Sequence, residues 1–151
     1  MKPKSKNELP TPPCVVLAED DPELLSLLAS VLEGEGYEVE RIADGRELDR
    51  FLWTGHWERR IPPAVVVSDI RMPCFSGLEV LEELRRAGRV QPVVLITAFG
   101  DEATHEQARQ LGAVAVLDKP FELEELVELV NATAEPSHPV RRHGSAARQV
   151  G

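Results

Sequence analysis

A chain of 151 residues, 42% hydrophobic and 28% charged, is long enough for one domain with a real core plus short tails. No apolar run approaches the roughly 20 residues that cross a bilayer, and the lysine-bearing start has no apolar stretch behind it. Both points argue against a membrane span or a secretory signal, and the expected location is cytoplasmic. The net charge of −9 is uneven: residues 1–13 and 134–151 carry +2 each, leaving −13 on the body, 14–133, which argues against direct nucleic-acid binding and suits a cation.

Residues 1–13, with Pro3, Pro10, Pro12 and Pro13, read as a flexible tail. Cys14 to Ala18 is a short apolar strand ended by Glu19-Asp20-Asp21, and Pro22 is well placed to open a helix with Asp21 as its cap. That helix carries Leu24, Leu25, Leu27, Leu28, Val31 and Leu32 and stops at Gly34 or Gly36. Tyr37 to Ala43 alternates apolar and charged residues, which suits an edge strand with one wet side. Asp44 and Glu47 resemble a capping box for a second helix through Leu48, Phe51 and Leu52. The polar stretch from Thr54 to Pro63 is a connection, in which Trp57 either packs on that helix or stands exposed.

Ala64 to Ser68 is a strand buried on both faces, with Asp69 at its end and Pro73 barring its continuation. Ser76 and Glu79 form another capping box, followed by Leu78, Leu81 and Leu84 and a stop at Gly88. Val93 to Ile96 is the fourth strand, ending at Thr97. Asp101 to Leu111 is the weakest helix, with only Ala103, Ala108 and Leu111 apolar. Val114 to Leu117 leads into Asp118-Lys119-Pro120, and Phe121 to Val130 has Leu123, Leu126, Val127 and Val130 at helical spacing. Residues 134–151 read as a tail or a truncated linker. Cys14 and Cys74 fall at opposite ends of strands, about 17 Å apart in level, so two free thiols are expected.

Five strands alternating with five helices imply a doubly wound α/β fold, a parallel sheet covered on both faces. With the second strand at an edge, the flavodoxin-like order 2-1-3-4-5 follows. In such a sheet all strand carboxyl ends share one rim, so Glu19, Asp20, Asp69, Thr97 and Lys119 converge. Crowded carboxylates without His or Cys suit Mg²⁺ rather than zinc. A carboxylate beside a metal can act as a nucleophile toward phosphorus, while an ammonium and a hydroxyl hold the transferring oxygens. Alone, the acidic triplet is a helix cap, Thr97 a strand residue and Lys119 a solvated lysine. Together, in order, at strand ends, they point to one site.

Leu17 to Pro22, Ser68 to Pro73 with Gly77 after it, Ile96-Thr97-Ala98 and Asp118 to Phe121 resemble the signature segments of bacterial two-component response-regulator receiver domains, the CheY-like family. The resemblance spans 14–133. It implies that Asp69 accepts a phosphoryl group from a sensor histidine kinase or phosphotransfer protein, and that Asp20, Asp69, Glu19 through water and the Arg71 carbonyl bind Mg²⁺. It implies too that Thr97 and Lys119 contact the phosphoryl group, that small Ala98 leaves it room, and that Lys119–Pro120 can be cis. The implied output is a downstream protein or a domain beyond this chain, with self-phosphorylation and slow autodephosphorylation as the only chemistry.

Two positions depart from the pattern. Val116 stands where an aromatic switch residue is usual, and the last helix is acidic outside (Glu122, Glu124, Glu125, Glu128), so a dimer through basic residues there is not carried over. A phosphatase or phosphotransferase with an Asp nucleophile is the rival, weakened because Arg71 holds the place of its second Asp. A receiver-like module indifferent to phosphate is a second rival. A flavin protein is disfavoured because no Ser/Thr/Gly-rich loop follows the first strand.

Overall fold

Runs of β-branched residues and leucine make five strands, and the leucine-spaced segments between them make five helices. In a computed structural model, which describes residues 12–53, 63–98 and 100–134, the order is β1 (Cys14–Ala18), α1 (Pro22–Gly34), β2 (Glu38–Ile42), α2 (Gly45–Trp53) and β3 (Val65–Asp69). It continues with α3 (Gly77–Arg86), β4 (Val93–Thr97), α4 (Glu102–Gln110), β5 (Ala115–Asp118) and α5 (Leu123–Ala134). All neighbouring strands are parallel and the sheet runs β2-β1-β3-β4-β5, the expected order.

The period-2 alternation of the strands splits the core into two layers. Val15, Leu17, Val65, Val67, Val94 and Ile96 face α1 and α5, meeting Leu28, Leu32, Leu126 and Val130. Val16, Val66, Val93 and Leu95 face the other way, against Leu48 and Leu52 of α2, Val80, Leu81 and Leu84 of α3, and Ala108 of α4. α4 contributes that alanine as its buried residue, so it is the most thinly attached helix. Ala103, expected on its apolar face, is exposed.

The caps follow the sequence closely. Asp21 accepts from the Glu23 and Leu24 N–H groups, and Ser76 and Glu79 form the full reciprocal box. At α2, Asp44 accepts from Glu47 N–H as expected, but the Glu47 carboxylate reaches back to Ala43 N–H.

β2 departs from the one-wet-side expectation. Tyr37 and Val39 lie in the first layer, yet Ile42, of opposite parity, is buried in the second, because α2 follows at once and covers that end of the edge. α5 starts at Leu123 rather than Phe121, three residues after Pro120, whose bond to Lys119 is cis.

Arg85, in the last turn of α3, and Arg89, three residues past its end, tie neighbouring helices together. Arg85 donates to the carbonyls of Leu111 (2.8 Å) and Gly112 (3.2 Å), capping the end of α4. Arg89 donates to Leu52 O (3.2 Å) and stacks 4.5 Å from the Trp53 ring, which fixes the end of α2. The expectations for the two tails and for Trp57 fall on residues 1–11, 135–151 and 54–62, outside the described ones. Cys14 is half-buried and Cys74 exposed, and neither is in a disulfide. Among the described residues no helix is long and apolar enough to cross a membrane.

Leu81 is fully buried at the centre of the α2–α3 layer. Leu81→Ala should lower unfolding stability by about 2–5 kcal/mol, from lost transfer energy plus the cavity left behind. Urea denaturation measures this; a loss below about 1 kcal/mol would contradict the packing described.

Candidate functional site

Each site residue sits where its strand runs out. β1 ends at Ala18, and Glu19, just beyond, is held by its own N–H donating to Ile42 O (3.0 Å) on the neighbouring edge strand. Asp69 is the last residue of β3 and Thr97 the last of β4. Asp118 ends β5, paired in register with Thr97, and Lys119 follows, its N–H donating to Thr97 O (2.7 Å). Parallel strands thus bring side chains a hundred positions apart to one rim.

There, carboxylate oxygens of Glu19, Asp20 and Asp69 all lie within 4.8 Å of one another. Glu19 and Asp69 are 1% and 3% exposed, while Asp20 faces solvent. Lys119 Nζ lies 2.6 Å from Asp69 Oδ2 and 3.3 Å from Glu19 Oε1, so one ammonium bridges two buried acids. The other oxygens take backbone donors: Arg71 N–H to Asp69 Oδ1 (2.8 Å) and Asp21 N–H to Glu19 Oε2 (3.0 Å).

Burial, and then its hydrogen bond with Asp69, push the Glu19 carboxyl up from an ordinary 4.5 to about 7, against the pull of Asp21 N–H and Lys119. Burial works against the Lys119 ammonium, but the hydrogen bonds and charges of Asp69 and Glu19 outweigh it and raise its pKa. Lys119 therefore stays charged. An all-oxygen set of three acids, two of them dry, fits a hard divalent cation, and that cation would compete with the proton on Glu19.

The structure brings together Glu19, Asp20, Asp69 and Lys119, with the buried Thr97 beside them through the Lys119–Thr97 backbone bond. Ala98, exposed, follows directly on Thr97, and Arg71 enters through its backbone, two residues past Asp69. Val116 is half-buried, paired with Leu95 and packed on the α2–α4 layer.

Sequence reasoning missed the steric framework. A Cβ on Gly77 would stand 2.6 Å from Asp69 O and 3.0 Å from Ser68 Oγ, so α3 begins pressed against the backbone of Asp69. Gly45 meets Phe75 O as tightly, where Cys74 (φ +75°) and the Phe75 N–H to Pro73 O bond (2.9 Å) fold the β3–α3 loop back. Gly100 is wedged among Thr97, His105 and Asp118. Only the glycines themselves signal these approaches in the sequence.

A profile described as the response regulator receiver domain matches residues 15–131. The chain is 39% identical over 121 residues to the C4-dicarboxylate transport transcriptional regulatory protein DctD of Pseudomonas aeruginosa, covering 80% of this chain and 25% of that one. To the transcriptional regulatory protein TctD of Salmonella typhimurium it is 37% identical over 134 residues, covering 86% and 57%. Among solved structures it resembles the Francisella response regulator 1452 receiver domain, with a TM-score of 0.74, 25% identity and coverage of 83% and 99%. The chain thus spans between a quarter and three-fifths of the curated relatives it matches.

The raised Glu19 carboxyl sets a pH dependence opposite to that of a salt-bridged acid. Between about 4.5 and 7 the folded protein holds this proton and the unfolded chain has lost it. Metal-free, the Glu19 contribution should therefore be most favourable below 4.5 and decline as pH rises through 7. Glu19→Gln, which keeps a donor for Asp69 but cannot ionise, should gain stability relative to wild type across that window. Parallel pH–stability curves for the two proteins would contradict it.

Proposed function

The chain belongs to the response regulator receiver domain family of two-component systems, and from that premise we propose that Asp69 is its phosphoacceptor, charged by a sensor histidine kinase or phosphotransfer protein. The observation that carries this reading is Lys119 Nζ at 2.6 Å from Asp69 Oδ2, at the mouth of the acidic cluster. An Asp69 oxygen bonds to phosphorus as the donor's P–N or P–O bond breaks, and the electron pair leaves with the donor. Arg71 N–H and Lys119 orient the carboxylate before transfer.

During transfer, charge spreads over the phosphoryl oxygens. Lys119, already an ammonium, meets one of them, and the Thr97 hydroxyl donates to another. Ala98, with only a methyl group, leaves the approach open. Glu19, Asp20, Asp69 and the Arg71 carbonyl would hold Mg²⁺, with Glu19 acting through water. Mg²⁺, when bound, supplies positive charge that offsets the phosphoryl oxygens. Its all-oxygen preference fits this donor set, and ionised Glu19 is the form it requires.

The domain acts, on this reading, as a phosphorylation switch rather than as an enzyme with turnover. Its own chemistry is self-phosphorylation from small donors and slow loss of the phosphoryl group to water. The output passes to a downstream protein or to a domain beyond this chain, as the regulatory names and greater length of the relatives suggest. The acidic body supports protein partners over direct contact with nucleic acid. A cytoplasmic place follows from that signalling role.

Incubation with Mg²⁺ and a small phosphodonor should add about 80 Da, one phosphoryl group. Asp69→Asn or a chelator should abolish the gain, and Lys119→Ala or Asp20→Asn should slow it by about 10²-fold or more, the range for losing one charge-stabilising group. An unchanged gain in Asp69→Asn would overturn the assignment. Many turnovers on a phosphomonoester would favour the phosphatase reading instead.

A further inference from the structure

We propose that the His105–Asp118 hydrogen bond is the latch that holds α4 against β5, and that the Asp69 site acts on it through Thr97 and Gly100. The inference deepens the phosphoacceptor reading and rests on it for the trigger, though not for the latch itself.

His105 Nε2 lies 3.0 Å from Asp118 Oδ1. A carboxylate only accepts, so Nε2 carries the proton and donates. The bond joins α4 to the end of β5, one residue before Lys119. It matters because α4 has little else: Ala108 is its buried side chain, while Leu111 beyond its end packs only partly. Arg85 fixes the far end of the helix at Leu111 and Gly112. The near end, by the site, is held where His105 meets Asp118.

Gly100 makes this bond sensitive to the site. A Cβ there would lie 2.1 Å from Asp118 Oδ1, 2.8 Å from His105 Nε2 and 2.8 Å from Thr97 Cγ2. Gly100 therefore packs against both the His–Asp pair and the Thr97 methyl, with no room for a side chain among them. Asp118 is also the register partner of Thr97, and Lys119 N–H bonds Thr97 O. Drawing the Thr97 hydroxyl and Lys119 ammonium toward a phosphoryl group shifts both neighbours of Gly100, and the latch responds.

Room for movement exists. An open groove of about 880 Å³ lies between α4 and β5, with His105, Glu106 and Arg109 on one wall and Val114, Ala115 and Val116 on the other. Its strand wall carries small side chains, so α4 can slide without displacing a large ring. The pair itself is half-exposed, with side chains 39% and 52% accessible, and such pairs are weak enough to open. The plainer alternative is a surface hydrogen bond without consequence.

Hydrogen exchange of the α4 amides, 102–110, separates the two, with intact mass measured in parallel. His105→Ala should speed their exchange at least about threefold without phosphodonor, and still gain the mass of one phosphoryl group. His105→Gln, which can present an N–H at a similar place, should restore protection. Phosphorylation should speed α4 exchange in wild type and add less than half that factor in His105→Ala. Unchanged exchange in His105→Ala, or the same factor from phosphorylation in both proteins, overturns the latch. Should His105→Ala not fold, Asp118→Ala, which removes the acceptor, is read by the same two outcomes. A wild type that gains no mass removes the phosphoacceptor reading alone, and the unphosphorylated comparison still decides the latch.

Discussion

One ammonium shared by two buried carboxylates is the contact on which this molecule turns. Glu19 and Asp69 are almost wholly removed from water, and like charges so placed would repel strongly in a low dielectric. Lys119 offsets part of that repulsion, and a proton on Glu19 offsets more. β5 is separated from β3 by β4, so the bridging cation must cross two strand spacings, about 10 Å. The flexible four-carbon stem of lysine suits that reach. The site is thus assembled under electrostatic tension, which on the proposed function a divalent cation or a phosphoryl group would reorganise.

That tension is tolerable because the scaffold is rigid where it counts. β1 and β3 sit at the centre of the sheet, their side chains shared between two full layers of helices. Gly77 lets α3 start in contact with the Asp69 backbone, and the Ser76–Glu79 box closes that helix end without external donors. Gly45 lets the start of α2 brace the β3–α3 loop from the other side. A side chain at Gly77 would press on the Asp69 backbone, and one at Gly45 on the backbone of the loop that follows it. Rigid strand ends supply the precision that a cluster of repelling groups cannot supply for itself.

Much of this was legible in the sequence, for identifiable reasons. Strands buried on both faces read as unbroken apolar runs, so β1, β3 and β4 were found to within a residue. Asp21, Asp44 and Ser76 announced their helices because capping is local chemistry, written within three or four residues. The convergence of Glu19, Asp20, Asp69, Thr97 and Lys119 followed from parallel topology alone. What stayed hidden depends on close approach between segments distant in the chain. Ile42 looked like part of a wet edge because α2, which covers it, folds over only in three dimensions. His105 gave no sign of its partner, since nothing in Glu102–Gln110 encodes the distance to Asp118. Arg85 and Arg89 likewise spend donors on carbonyls of other elements, contacts that no local pattern around them encodes.

The two helices flanking β5 show where a disturbance at the site is free to go. α5 is anchored by Leu126 and Val130 in the first layer, and Asn131 accepts from the Tyr37 hydroxyl at the far edge of the sheet. Moving it would open the core beneath β1 and β3, at the cost of several buried contacts. α4 rests on one alanine and on polar ties at its two ends. Displacing it breaks exposed hydrogen bonds that water can replace, and little apolar surface is uncovered. Along the chain α5 is the nearer to Lys119, beginning four residues after it, whereas α4 ends nine residues before it, so proximity does not favour α4. The depth of their packing does, and it directs any rearrangement around Asp69 into α4.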